Sequence, residues 1–456
     1  MTATTFTPLF HRAALLLFFT APSAALAAAL QDWPQWLGPK RDGVWRETGI
    51  VEKFPEGGPK LRWRTAMGAG YSGPAVAGGK VFVMDRHVPT DAPKAKNVFE
   101  ASHIPGRERV VCLNEADGKI LWTHEYDCPY DVSYPSGPRV TPVVAGNRVF
   151  TLGTEGNLFC LDARNGRVLW AREFKKDFGV QTPLWGFSAS PLLDGRKLIC
   201  LVRGAGTTVV AFDRDTGKEL WRALSAKEPG YCPPVIVEAG GKRQLIIWHP
   251  EALNSLDPET GKVYWTEPFP VRAGLTVATP RLLGDRLFVT SFYNGSLLMQ
   301  LDAKQPAAKA LWRGKSSSEK NTDGLHSIIS TPFLEDGHIF GVCSYGQFRC
   351  LRLDTGERVW ETFQPVVGRS ERWGTAFIVK HEGRFFLFNE QGDLIIARLS
   401  PAGYEEISRA RLLEADNTDP RRNVVWSHPA FAHRSIYARN DKEIVCYSLA
   451  AEEASE

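Results

Sequence analysis

The chain has 456 residues, 43% of them hydrophobic and 23% charged, with a formal net charge of +4. That balance is globular and long enough for several domains or one large repeat array. A charge this close to neutral gives no case for nucleic acid or an anionic membrane surface as a partner.

Residues 1–27 read as a signal peptide. His11 and Arg12 precede the apolar run Ala13 to Thr20, and Ala25-Leu26-Ala27 fits an A-x-A cleavage site. The run is too short to span a bilayer. An exported protein is expected, periplasmic or extracellular. No Cys follows the cleavage site to carry a lipid anchor, and no integral membrane segment is expected after cleavage. Residues 28–60 are an N-terminal extension that contains "WPQWLGPKRDGVWRETGI".

From residue 61 the chain repeats. A turn signature ends on Trp122 in "CLNEADGKILW", on Trp170 in "CLDARNGRVLW", on Trp221 in "AFDRDTGKELW" and on Trp265 in "SLDPETGKVYW". A degenerate "QLDAKQPAAKALW" reaches Trp312, "CLRLDTGERVW" reaches Trp360, and "ARLSPAGYEEI" has Ile407 in the Trp position. The period suits four-stranded propeller blades or helical solenoid units. Short β-rich runs such as "RVFTLGT" and "LFCLDA", separated by Gly, Asp and Asn turns, decide for strands. In the Asp-x-x-Thr-Gly turn Asp213 can accept bonds from the following N–H groups, and Gly217 supplies the positive φ. The Trp then covers the seam to the next blade.

A second signature precedes each turn: "YSGPAVAGG", "RVTPVVAGN", "SASPLLDGR", "CPPVIVEAGG", "VATPRLLGD", "ISTPFLEDG", "GTAFIVKHEG" and "SHPAFAHR". These eight read as innermost strands. Only seven outer strands follow them, and "PKLRWRTAM", with Trp63, supplies the eighth. The expected fold is therefore all-β: an eight-bladed propeller of four-stranded antiparallel blades over 61–450. N- and C-terminal strands share one blade and close the ring, leaving a tail at 451–456.

The eight cysteines are Cys112, Cys128, Cys160, Cys200, Cys232, Cys343, Cys350 and Cys446, with no C-x-x-C pair. Four hold equivalent strand places and read as buried apolar residues too far apart to bridge.

The element formed by Ala211, Asp213, Thr216, Gly217 and Trp221 resembles the tryptophan-docking motif of the quinoprotein, or PQQ-like, propeller family. The opening segment quoted above and "NEQGDLIIARLSPAGYEEISRARLLE" resemble bacterial PQQ-binding-like repeat proteins. These are grouped with the lipoprotein subunit of the outer-membrane β-barrel assembly machinery. The resemblance spans essentially the whole mature chain and implies the fold. Scaffolds and dehydrogenases share the motif, so it does not select a chemistry.

Inner-strand starts and second-to-third strand connections share one face of such a ring. The starts carry Tyr71, Ser72, Tyr134, Trp185, Phe187, Tyr231, His326, Arg372, Trp373, Trp426 and His428. Of these, Tyr71, Trp185, Tyr231, His326, Arg372, Trp373, Trp426 and His428 are the candidate ligand-binding residues. Their flat faces and few cations suit stacking on a sugar, a quinone or an extended peptide. An insertion from roughly Arg86 to Arg109, with His87, Asp91, His103 and Arg107, falls on the same face as a lid, a partner-binding segment or a solvated excursion.

The leading expectation is an exported, monomeric, non-catalytic binding or assembly scaffold. Its partner would be a protein or a small-molecule or sugar ligand. The alternatives are a PQQ-dependent alcohol or sugar dehydrogenase and a carbohydrate-binding or -cleaving propeller. The resemblance implies PQQ and Ca²⁺ as cofactors of the dehydrogenases, with an adjacent Cys pair as lid, acid and amide ligands and an Asp base. This chain has no adjacent Cys pair and no haem motif. Its loop acids Asp131, Asp177 and Asp323 match no ligand set, so no metal site and no catalytic residue are assigned.

Overall fold

The computed structural model describes residues 1–3, 30–419 and 422–451. Most of the segment read as a signal peptide, and the tail after residue 451, lie outside the described residues.

The fold grows from the repeated turn. In the third blade Asp213 Oδ1 accepts from the backbone N–H groups of Asp215 and Thr216 and from the Thr216 hydroxyl, at 3.1, 2.9 and 2.9 Å. Gly217 takes φ of 68°. It answers a second demand as well: a Cβ there would stand 2.7 Å from the ring of Trp170, in the preceding blade. Four more docking tryptophans lie likewise on the glycine of the next blade's turn: Trp63 on Gly118, Trp122 on Gly166, Trp221 on Gly261 and Trp312 on Gly356. Their indole N–H groups donate to carbonyls of the same turns, for example Trp170 to Arg214 at 2.9 Å and Trp221 to Pro258 at 3.2 Å. The turn and the seam are one device.

Its exceptions follow the same physics. The fifth blade's turn has no glycine, and the Trp265 indole turns back to Gln244 Oε1 of its own blade at 2.9 Å. Ile407 stands where the eighth blade has no third-to-fourth strand turn on which a tryptophan could dock. There the N-terminal extension takes over, and Phe54 N donates to Ser408 Oγ at 3.1 Å.

Eight four-stranded antiparallel sheets result. The first contains Ala75–Ala77, Lys80–His87, Arg107–Asn114 and Ile120–Asp127, and the last contains Ala430–Ala432, Ser435–Arg439 and Glu443–Ser448. Leu61–Ala66 completes the last blade, with Trp63 opposite Cys446, so the ring closes as the sequence predicts. All eight cysteines are free and buried.

The extension packs against the inner strands. Trp33 exchanges backbone bonds with Val76 of the first blade, Pro34 accepts from Val144 of the second, and Trp45 donates to Lys380 of the seventh. Arg41 reaches the carbonyls of Pro191 and Pro234, at the edges of the third and fourth blades, at 3.1 and 3.2 Å. Arg281 of the fifth donates to the Asp42 carbonyl at 2.6 Å. One short segment thereby ties most of the inner strands together.

Candidate functional site

The inner-strand starts converge on a cavity of about 450 Å³. Tyr71, Trp185, Tyr231, Arg372, Trp373, Trp426 and His428 all line it. His326 does not. It is fully buried between strands, with Nδ1 3.1 Å from the Phe292 carbonyl oxygen and Nε2 3.5 Å from Asp323. Its ring packs where a Cβ on Gly295 would stand, 2.9 Å from Nε2, so its place is structural.

Aromatic rings hold one another in position. Trp185 meets Tyr231 edge-on at 5.6 Å. Trp373 contacts Phe99 at 5.6 Å and Tyr134 at 6.2 Å, and Tyr134 contacts Trp426 at 6.0 Å. Phe99 comes from the insertion, which the short strand Ser102–Ile104 anchors by pairing with Tyr130–Val132. Ser133 Oγ and the Tyr134 backbone N–H both donate to the Val98 carbonyl, bringing Phe99 to the cavity. The insertion therefore supplies part of the wall. Trp36 of the extension also lines the cavity, its indole N–H on Thr279 Oγ1 at 2.9 Å and its ring 4.8 Å from that of His428.

Three lining residues other than glycine adopt left-handed backbone: Tyr134 at φ 51°, Ala273 at 58° and Trp373 at 62°. Each such residue costs on the order of 1 kcal/mol, a strain that concentrates at functional sites. Local sequence preference would not place two bulky aromatic residues there; the surrounding contacts do.

The charges are arranged as follows. Arg372 Nη2 donates to Glu319 Oε2 at 2.7 Å while its guanidinium covers the Trp373 ring at 4.5 Å. Arg139 lies over Tyr71 at 5.3 Å and donates to the carbonyls of Ser133, Tyr134 and Gly137. Burial pushes His428 down to about 4, and its Nδ1 lies 2.7 Å from the Pro429 carbonyl oxygen, so at neutral pH it is an uncharged ring beside Trp36 and Phe377. Burial raises the Tyr231 hydroxyl far above its ordinary value, keeping it protonated.

The loop acids serve structure. Asp131 pairs with His103 at 2.9 Å at the surface. Asp323 accepts from the backbone N–H groups of Lys315 and Ser316. Asp177 accepts from Glu173 N at 3.2 Å. Among the described residues no three His, Cys, Asp or Glu side chains converge to hold a metal ion. Among the described residues the lining contains no Asp, Glu, Asn or Gln side chain. The cavity residues therefore do not fit a Ca²⁺–PQQ pair bound through acid and amide ligands, although their flat faces suit a planar ring.

Sequence reading missed Trp36, Phe99, Arg139 and Tyr293. The first two sit in segments whose course the repeat does not dictate. Arg139 stood in view at the start of "RVTPVVAGN", directly before an inner strand.

Ring closure, tryptophan docking and an aromatic channel mouth define a PQQ-like eight-bladed propeller. The family described as outer membrane protein assembly factor BamB matches residues 106–362, more than half of the chain, and this protein belongs to it. The structure of BamB from Moraxella catarrhalis is similar at 17% identity and a TM-score of 0.50, covering 81% of this chain and 97% of that one. Quinohemoprotein alcohol dehydrogenase from Comamonas testosteroni is similar at 12% identity and a TM-score of 0.62, covering 95% of this chain and 82% of that one. The computationally designed Ika8 protein is similar at 9% identity and a TM-score of 0.51, over 85% of this chain and 99% of that one. At these identities the likenesses show the fold alone. No curated protein matches the chain.

Proposed function

We propose that this protein is an exported, non-catalytic binding module of the assembly-scaffold kind, capturing a ligand or partner in the aromatic cavity at the inner-strand starts. The lining carries the reading. Aromatic faces, two of them on left-handed backbone, surround a space large enough for a small molecule or an inserted side chain. Among the described residues the lining side chains offer rings, guanidinium groups and the hydroxyls of Ser188 and Ser190, and no carboxylate, thiol or amine aimed at a reacting atom. Membership of a family described as an outer membrane assembly factor supports the scaffold reading and the export that residues 1–27 imply. No helix among the described residues is long and apolar enough to cross a membrane.

The test separates the two faces of the ring. Replacing Trp373 and Trp426 together by Ala is expected to weaken capture of the ligand or partner from a cell-envelope extract while the circular-dichroism spectrum stays near wild type. Lys218 and Lys262 lie at the docking turns, away from the cavity. Capture that survives the tryptophan changes and is lost on replacing those lysines by Ala would overturn the reading.

A further inference from the structure

The insertion of the first blade is fixed at its base and unbonded along its length. At the base, Arg86 donates from Nη1 to the Pro135 carbonyl at 2.7 Å and from Nη2 to that of Ile104 at 2.6 Å. Its guanidinium lies 3.6 Å over the Tyr130 ring. A Cβ on Gly106 would stand 2.9 Å from that guanidinium, so glycine lets the returning chain pass this close. The pairing of Ser102–Ile104 with Tyr130–Val132 completes the base. Residues 88–96 differ. They make one backbone bond among themselves, Ala92 N–H to the Pro89 carbonyl. Among the described residues they form no hydrogen bond or ion pair with the rest of the chain.

The tip beyond them is a tight turn. Phe99 N–H donates to Asn97 Oδ1 at 3.0 Å, and Glu100 N–H to the Asn97 carbonyl at 3.2 Å. One atom holds this tip to the blades: the Val98 carbonyl oxygen accepts from Ser133 Oγ at 2.6 Å and from Tyr134 N–H at 2.9 Å. Phe99 then reaches from the first blade to Trp373, just before the inner strand of the seventh, at 5.6 Å, and meets Tyr134 at 5.8 Å. It is 45% exposed, so it lies over the cavity and not in a core. Tyr134 and Trp373 are the two aromatic lining residues on left-handed backbone. The tip therefore rests on the strained members of the wall.

A fixed base, an unbonded length and a tip held by one carbonyl and two ring contacts are the parts of a hinged flap, which opens without disturbing a core. We infer, resting on the binding-pocket reading above, that residues 88–101 gate the cavity. Phe99 is the gate, Ser133 and the Tyr134 N–H on the Val98 carbonyl are the latch, and the strand pair at the base is the hinge. A latch that closes the empty and the loaded cavity alike slows entry and exit by one factor and leaves Kd unchanged.

The probe is N-phenyl-1-naphthylamine, an uncharged aromatic dye, mixed with the full chain by stopped flow. Ser133 is buried behind the lining. Ser133→Ala removes one latch bond and is expected to raise the association and dissociation rates together by about fivefold, the equivalent of one hydrogen bond, with Kd nearly constant. Phe99→Ala should raise both rates, the dissociation rate more, because its ring is also wall. Hydrogen exchange at the Tyr134 amide reads the latch with no ligand present, and in Ser133→Ala it should quicken by the same factor as association. Association left unchanged in Ser133→Ala, with or without faster amide exchange, or a Kd weakened through dissociation alone, would make the insertion a fixed wall and overturn the gate while the pocket stands. If the dye does not bind, or if binding ignores the paired Trp373 and Trp426 replacements, the pocket reading fails and the gate fails with it.

Discussion

The seam between the third and fourth blades offers a quantitative test of why the turn repeats. Trp221 is 9% exposed and donates to Pro258 at 3.2 Å. Its ring lies where a Cβ on Gly261 would come within 2.6 Å, and Gly261 has φ of 74°. Truncating the indole removes on the order of 200 Å² of buried aromatic surface, which at about 25 cal/mol per Å² gives about 5 kcal/mol. Measured losses for such truncations run about 3–5 kcal/mol, so Trp221→Ala is expected to cost about that much. Gly261→Ala carries two separable penalties: about 1 kcal/mol for the left-handed backbone, and about 1–3 kcal/mol for overpacking against the ring. Only the second disappears once the ring is gone. In a double-mutant cycle by urea denaturation, Gly261→Ala should therefore cost about 1–3 kcal/mol less in the Trp221→Ala background than in wild type. Equal cost in both backgrounds would mean that the glycine serves the turn alone, and the account of turn and seam as one device would be wrong.

Trp265 provides the contrast, since its indole turns back to Gln244 within its own blade: Gln244→Ala, which strands that N–H, should destabilise by about 1–3 kcal/mol in the same denaturation assay, and no change would contradict the bond. His433 lies 3.1 Å from Asp32 and 3.4 Å from Glu115, joining the extension to the closing blade. Its hydrogen bond to Glu115 raises it above its ordinary 6.5, while bonds from His433 and then Tyr437 and Arg62 hold Glu115 down to about 2 against an ordinary 4.5. The His433 contribution is full below 6.5 and fades as pH rises through the raised value; that of Glu115 is full above 4.5 and fades as pH falls towards 2. The Tm gap between wild type and His433→Asn should thus be widest between those two ordinary values and shrink in alkali, and a gap that grows with pH would reverse the assignment. Adding PQQ with Ca²⁺ is expected to produce no dye-linked oxidation of alcohols or aldoses; turnover that disappears on replacing a loop Asp would favour the dehydrogenase alternative.

The sequence by itself determined the ring. A docking seam is built from residues close in the chain, an Asp and Gly in one turn and a Trp on the outer strand, so each unit announces its own geometry. The count of inner against outer strands then left Trp63 as the closing piece, which the strand pairing bears out. The sequence also led to the aromatic starts, because a strand start before a repeated signature has a known place in the ring. It did not separate Tyr71, which lines the cavity, from His326, which Gly295 admits into a buried slot; that difference is a matter of side-chain packing between blades. Nor did it reveal that Phe99 and Trp36, from an insertion and an extension outside the repeat, complete the wall. Least legible of all was charge: Arg372 looks in sequence like a free cation and Arg139 like a residue of the strand, whereas the fold pairs the first with Glu319 and sets the second over the Tyr71 ring, donating to three carbonyls. Periodicity fixes where a backbone goes, but whether a charge is neutralised depends on a partner tens of residues away, and only the closed ring brings the two together.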